Sequence, residues 1–227
     1  LKASPKFLKY VFESGELYKG LGKTGTQLNL NSDTVGNIKL AIPDDNEQKQ
    51  VVLFLDSRLA ELDSLIAEKE NFIKLLSEKR QALISHVVTK GLNPNVTMKD
   101  SGVEWIGEIP EHWTECTLRR HVVEHRQGYY TTEDYVDEGV KLLRITDLEK
   151  YGEIDAYRAP RVAQKDELKN YYLETGDFVF ARTGGAGTFG LVGELEEPMV
   201  YASYLIRFRF NKNICPQFLK FAFQSKP

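Results

Sequence analysis

Short stretches of the 227-residue chain carry residue types that could do chemistry. His121-Val122-Val123-Glu124-His125 fits the H-x-x-E-H pattern, in which a helix puts two imidazoles on one face to hold zinc and the glutamate acts as base. That reading, a zinc-dependent hydrolase using His121, Glu124 and His125, needs a helix and a third ligand. Gly128 would end any helix just after the pattern, and the competing reading is two partly exposed histidines. Gly185-Ala186-Gly187-Thr188-Phe189-Gly190-Leu191-Val192 fits G-x-G-x-x-G-x-V, whose backbone amides can approach phosphates. No strand lysine of the V-A-I-K type, no H-R-D and no D-F-G follow, and no helix follows as a dinucleotide loop requires. Gly22-Lys23-Thr24 has Leu17 where a Walker A loop needs its first glycine. No catalytic Ser or Cys motif stands out, and the D/N-P-P-Y/F motif of amino-methyltransferases is absent from the sequence. The start of the glycine loop has a further reading. Arg182-Thr183-Gly184-Gly185 follows a strand pattern, so its tip can reach a phosphate or a base edge. Arginine can bond guanine through two parallel hydrogen bonds, threonine can meet a thymine methyl, and glycine amides can hold phosphate. The competing reading is a structural turn.

The elements that must position these residues fall into four parts. Residues 1–46 begin with Pro5-Lys6-Phe7-Leu8-Lys9-Tyr10-Val11-Phe12, a short helix with Phe7, Leu8, Val11 and Phe12 on one face. Gly20, Gly22 and Gly25 then mark a loop, and Val35 to Ile42 has strand character up to Pro43. Residues 47–92 form a long helix, with neither Gly nor Pro from Glu47 to Lys90. Val52, Leu55, Leu59, Leu62, Ile66, Lys69, Ile73, Leu76, Arg80, Leu83 and Val87 alternate in steps of three and four, a heptad seam of narrow width. Such a helix is roughly 65 Å long and cannot bury its seam alone. Asp44 or Asp45 can cap its start, and Gly91 and Pro94 stop it. Lys69 and Arg80 interrupt the seam, either setting register or snorkelling to water. Residues 93–113 read as an acidic linker that Trp105 and Trp113 anchor to a neighbouring surface. Residues 114–227 read as α+β, with strands at Val140–Ile145, Asp177–Ala181, Gly190–Glu194 and Tyr204–Phe210 and a helix over 216–225.

An internal repeat links the two ends. Pro5 to Ser14 aligns with Pro216 to Ser225, identical at six of ten positions with an offset of 211. The chain therefore closes one period and begins the next.

Composition limits the function classes. Hydrophobic residues make up 41% and charged residues 28%, which excludes a chain disordered throughout. Lys and Arg total 30 against 33 Asp and Glu, and no segment is strongly basic, so charge alone predicts no tight grip on a polyanion. Two cysteines, Cys116 and Cys215, are too few for a disulfide framework or a four-cysteine zinc site and suit a reducing cytoplasm. No apolar stretch is long enough to span a membrane. The chain opens on Leu1 rather than Met, which points to a fragment or a processed product.

Several segments carry a family resemblance. Asp100-Ser101-Gly102-Val103-Glu104-Trp105-Ile106-Gly107-Glu108-Ile109-Pro110-Glu111-His112-Trp113 resembles the segment leading into a target-recognition domain in specificity subunits of type I restriction–modification systems. Ile42-Pro43, Glu47-Gln48-Lys49-Gln50-Val51 and Leu55-Asp56 resemble the start of that family's conserved helix, and Glu78-Lys79-Arg80-Gln81-Ala82-Leu83-Ile84 its end. Gly176-Asp177-Phe178, Arg182-Thr183-Gly184 and Ala202 to Phe208 resemble the body of a recognition domain.

The resemblance implies an α+β fold: target-recognition domains of mixed α/β structure joined to a long coiled-coil helix that pairs antiparallel. Residues 1–46 would be the C-terminal part of a first recognition domain, 47–92 the spacer helix, 93–113 the linker, and 114–227 most of a second recognition domain. It implies a half-length, non-catalytic specificity subunit that reads a bipartite double-stranded DNA target and docks methyltransferase subunits. These would supply much of the phosphate grip. S-adenosylmethionine, ATP and Mg are expected on the methyltransferase and restriction/translocase subunits, with no cofactor or metal on this chain. The expected DNA-facing set is Arg182, Thr183, Gly184, Gly185, Arg144, Thr146, Gln127, Tyr129, Tyr130 and Ser203, with Lys23, Thr24 and Gln27 as weaker candidates. Leu55, Leu59, Leu62, Ile66, Ile73, Leu76, Leu83 and Val87 are the expected helix-pairing set, which two copies could use to form an antiparallel homodimer. A coiled-coil scaffold without DNA readout is the other alternative.

Overall fold

The computed structural model describes residues 2–15, 17, 32–185 and 187–225. The glycine loop at 20–25, together with Lys23, Thr24, Gln27 and Ala186, lies outside them. The chain divides by its contacts into two units, Leu1–Leu76 and Ser77–Pro227. The boundary falls inside one continuous helix.

In the first unit, α1 (Pro5–Glu13) starts as the sequence predicts. Pro5 occupies the first turn, and the Ser4 hydroxyl accepts the Phe7 amide at 3.2 Å. α1 is tied to the first turns of α3 (Asp45–Lys90). Gln48, 1% exposed, accepts the Ser4 amide and donates to the Lys2 and Pro43 carbonyls, so its buried amide is fully used. Asp56 accepts from Lys6 and from the Tyr10 hydroxyl, and these partners hold its carboxyl below the usual carboxylate range. The expected strand over Val35–Ile42 is absent. Ser32–Gly36 forms a short helix, α2, and residues 38–42 run without a partner strand among the described residues. The alternation of Ile38, Leu40 and Ile42 is present, but alternation without a ladder partner does not make a strand.

α3 runs 46 residues unbroken. Of the two candidate caps, Asp44 does the work, its carboxylate accepting the Asn46 and Glu47 amides at 2.9 Å. Gly91, at φ 76°, ends the helix in the left-handed conformation that glycine adopts without penalty. Leu59, Leu62, Ile66, Ile73, Leu76 and Leu83 are exposed along the predicted ridge, and Leu55 and Val87 are half-buried. Leu53, Phe54, Leu65, Phe72 and Leu75 are exposed as well, so the open apolar surface is wider than the narrow stripe the heptad pattern predicts. Among the described residues, no helix is long and apolar enough to cross a membrane.

In the second unit the linker is more ordered than its glycines and prolines suggest. β1 (Met98–Asp100) and β2 (Glu108–Pro110) pair antiparallel. Trp113 meets Phe218 edge-on at 6.4 Å and so anchors the linker, whereas Trp105 is largely exposed and does not fit the anchoring expectation. Beyond it lie β3 (Val122–Gln127), β4 (Val140–Leu143), β5 (Arg161–Val162), β6 (Phe178–Ala181), β7 (Phe189–Leu191), β8 (Met199–Tyr201), β9 (Leu205–Phe210) and α4 (Pro216–Gln224). They make a four-stranded antiparallel sheet, β3-β9-β6-β7, and a three-stranded sheet, β5-β4-β8, whose β4–β8 pair is parallel. The fold is α+β. Phe178, Phe189 and Leu219 of α4 fill one core cluster with Phe180, Phe208 and Phe223 packed around it. Leu143, Val179, Tyr201 and Leu205 join the two sheets in another.

Candidate nucleic-acid interface

Antiparallel register decides which loops of the four-stranded sheet share an edge. Gln127 stands opposite Ile206, Ala181 opposite Leu205, and Phe180 opposite Phe189. The end of β3, the start of β9, the end of β6 and the start of β7 therefore lie side by side. The described residues that follow or precede them, 128–130, 202–204, 182–185 and 187–188, are neighbours at one edge. Backbone bonds close this edge: Gly128 N to Leu205 O at 2.9 Å, Tyr129 N to Tyr201 O at 2.7 Å, and Arg182 N to Tyr204 O at 2.8 Å. Gly128 is obligatory here, because a Cβ would lie 2.2 Å from the Ala202 carbonyl oxygen. The turn after β4 joins the same edge, since the Ile145 side chain lies 3.0 Å from where a Cβ of Gly185 would be.

The structure thus brings most of the expected set together but gives its members different roles. Arg182, Thr183 and Gly184 are exposed at the tip, and Arg182 has no ion-pair partner among the described residues. Tyr130 is 70% exposed, Gln127 and Thr146 are exposed, and Gln127 donates to the Ser203 carbonyl at 3.1 Å beside the half-buried Ser203. Three residues are drawn inward. Tyr129 is buried, its hydroxyl donates to Glu167 at 2.8 Å, and burial first, then that carboxylate, pushes its phenol up; it is a core residue. Arg144 spends its guanidinium on the buried Asp147 at 3.1 Å, capping the turn. Gly185 is half-buried and closes the loop by accepting the Thr188 amide at 2.8 Å. One exposed residue was missed: Tyr204, 61% exposed beside Ser203. Reading Tyr204 as the first residue of a strand hid it, because β9 begins one residue later.

Arg207 and Arg209 of β9 are engaged inside the sheet, while the exposed Arg126 of β3 shares the Glu124 carboxylate with Arg207. Arg209 forms two 2.8 Å bonds to the buried Asp177, which raise its already high pKa. Arg207, 2% exposed, donates to the Tyr172 carbonyl and pairs with Glu124. The zinc pattern is also accounted for. Val122–Gln127 is strand, not helix, so the shared helical face that the pattern needs does not form. Glu124 is taken by Arg207 and Arg126, His125 stacks on Phe208, and His121 contacts the Cys116 sulfur at 3.4 Å. Among the described residues, no group of three His, Cys, Asp or Glu could hold a metal ion.

No family model matches the chain. The MjaVIII specificity subunit of a type I restriction enzyme from Methanocaldococcus jannaschii is 28% identical over 230 residues, 96% of this chain and 52% of that protein. The EcoKI specificity subunit of Escherichia coli K12 is 28% identical over 196 residues, 83% of this chain and 40% of that protein. The curated relatives of this chain are type I restriction enzyme specificity subunits. The chain spans about half the length of these relatives. A solved structure of the type I R-M system, concerned with complex assembly and conformational transition, aligns over 97% of this chain and 52% of its own with a TM-score of 0.55 at 14% identity. That likeness concerns the fold: a long helix joined to a mixed α/β lobe.

Proposed function

We propose that this chain is a non-catalytic, DNA-reading part of a type I restriction–modification enzyme. The observation that carries this reading is the coincidence of two features: similarity to specificity subunits along 96% of the chain, and a sheet edge that exposes an unpaired arginine beside the exposed Tyr204, with the exposed Tyr130 on the connection after the next strand. Arg182 and Thr183 would meet base edges, while Gln127, Tyr130, Thr146, Ser203 and Tyr204 would line the groove and backbone. With Arg144, Arg207 and Arg209 engaged internally, other subunits would supply much of the phosphate grip in this reading. S-adenosylmethionine, ATP and Mg belong to those methyltransferase and translocase subunits in this reading. Residues 1–46 and 114–227 would belong to two recognition domains of a bipartite target, with 93–113 as the lead-in to the second. The open leucine ridge of α3 supports its use as a spacer that pairs antiparallel with a second helix and docks methyltransferase subunits.

Coexpression with a methyltransferase subunit tests the reading. The pair should methylate DNA at one defined sequence, and methylation independent of this chain would sink the proposal. Arg182→Ala should weaken specific binding by about 1–3 kcal/mol while leaving nonspecific binding nearly unchanged. An equal loss on every DNA sequence would make Arg182 a phosphate contact.

A further inference from the structure

Among the described residues, Tyr151 is the one non-glycine residue with positive φ, at 66° with ψ 20°. Glycine or asparagine would adopt this backbone more easily, so the tyrosine ring is kept against a local conformational preference. The structure shows what the ring does. The Arg80 guanidinium lies over it, 3.6 Å from the centroid. Arg80 Nη2 donates to Gln224 Oε1 at 2.7 Å, Gln81 Nε2 donates to the Gln224 carbonyl at 2.7 Å, and Gln224 Nε2 donates to the Tyr151 carbonyl at 2.8 Å. The last turns of α3, the end of α4 and the 150–152 turn are thereby closed into one ring of contacts. This also explains why a cation interrupts the leucine ridge at position 80: Arg80 is half-buried against the lobe, while Lys69 is exposed.

The ring of contacts continues to the candidate interface. Gly152, next to Tyr151, lies so close to β7 that a Cβ would sit 2.4 Å from the Phe189 ring. Two residues on, Ile154 packs against Gly190, where a Cβ would lie 2.7 Å from it. Phe189 pairs with Phe180, and one step outward the Ala181 amide donates to the Thr188 carbonyl at 2.9 Å, closing the base of the loop that carries Arg182 and Thr183. Gly152 and Gly190 leave no room between the 150–154 segment and β7, so a shift at Tyr151 presses directly on the Phe189 ring and, through Ile154, on Gly190.

We propose that Arg80, Tyr151 and Gln224 form a latch that positions the paired ends of β6 and β7, at Ala181 and Thr188, against the last turns of α3. They are positioning residues, since none of them lies at the exposed edge. The latch itself is independent of the function proposed above; its consequence, that a rod which spaces two readers must hold each reader at a set angle, rests on that reading.

Hydrogen exchange on the full chain tests the latch. Arg80→Ala, and Tyr151→Gly, which removes the ring while relieving the backbone, should each speed exchange at the Ala181 and Thr188 amides on the order of tenfold, with the β4 and β8 amides unchanged. Tyr151→Phe keeps the ring and should behave as wild type. Unchanged exchange at Ala181 and Thr188 in both loosening variants would overturn the latch, and so would an equal rise across β4 and β8. In a complex with methyltransferase subunits, the same variants should lose discrimination between the preferred half-site gap and one altered by a base pair. Faster loop exchange with gap discrimination intact would uphold the latch and count against the DNA-facing role of the loop.

Discussion

Residues 5–14, which hold α1, and 216–225, which hold α4, share six of ten residues, yet the two helices bury different sides. In α1 Phe7 is 7% exposed and Leu8 is half-buried; in α4 the equivalent Phe218 is 43% exposed and Leu219 is 5% exposed. Adjacent helix positions point about 100° apart, so the motif carries two apolar sides rather than one. α4 turns Leu219 and Phe223 into the aromatic cluster under β6 and β7. α1 offers the equivalent Leu8 and Phe12, of which Phe12 is exposed, and no sheet covers them among the described residues of the first unit. The same decapeptide is therefore a finished core element in one place and a half-covered one in the other. What separates them is the surface each helix meets, not its own propensity.

Reciprocal truncations would break this comparison most strongly. Phe7→Ala should cost about 3–5 kcal/mol and Phe218→Ala about 1 kcal/mol, whereas Leu219→Ala should cost about 2–5 kcal/mol and Leu8→Ala less than about 1 kcal/mol. Denaturant melts of the four variants read the pattern, and equal costs within each pair would show that both helices use the same face. Capping sharpens it at a smaller scale. Ser4 caps α1, but Cys215 at the same position of α4 makes no cap bond. Ser4→Ala should cost about 1 kcal/mol, and Cys215→Ser should gain up to about 1 kcal/mol. Along α3, Leu62→Ser should change unfolding stability by no more than about 0.5 kcal/mol, since Leu62 is exposed. Any self-association seen by sedimentation should nevertheless fall.

The smallest effect is a pH dependence. Arg161 and Lys141 hold the Glu197 carboxyl down at about 2, below its ordinary 4.5, clasping β5 and β4. The folded value is depressed, so this contribution is present above about pH 4.5 and is lost as pH falls toward 2. Glu197→Gln should flatten the acid limb of the stability curve in that window, with the difference from wild type shrinking toward zero below about pH 2.

Much of the architecture was legible because local signals agreed with one another. Pro5, Pro216, Asp44 and Gly91 mark helix ends by removing or supplying backbone partners, and α3 follows from an uninterrupted heptad pattern. β4, β6 and β9 fell within two residues of their predicted bounds because their apolar runs are short and turn-bounded. β3 was hidden because its His, Glu and Arg pattern suggested a metal helix, and its exposed residues give no strong alternation. The false strand at Val35–Ile42 has the opposite cause, an alternation with nothing to pair with. At the candidate interface, residue types pointed to Arg182, Thr183, Tyr130 and Gln127. They did not distinguish Tyr130 from Tyr129, whose neighbouring positions face opposite sides of the chain.

The chain's own pattern thus determined its helices, its repeat and the presence of an apolar ridge, because each depends on spacing within a few residues. Tertiary structure alone decided which arginines are free, which tyrosine is core, and that Arg80 faces Tyr151 rather than a partner helix. Those outcomes depend on carboxylates and rings brought together from far along the sequence, and local periodicity carries no record of such distant partners.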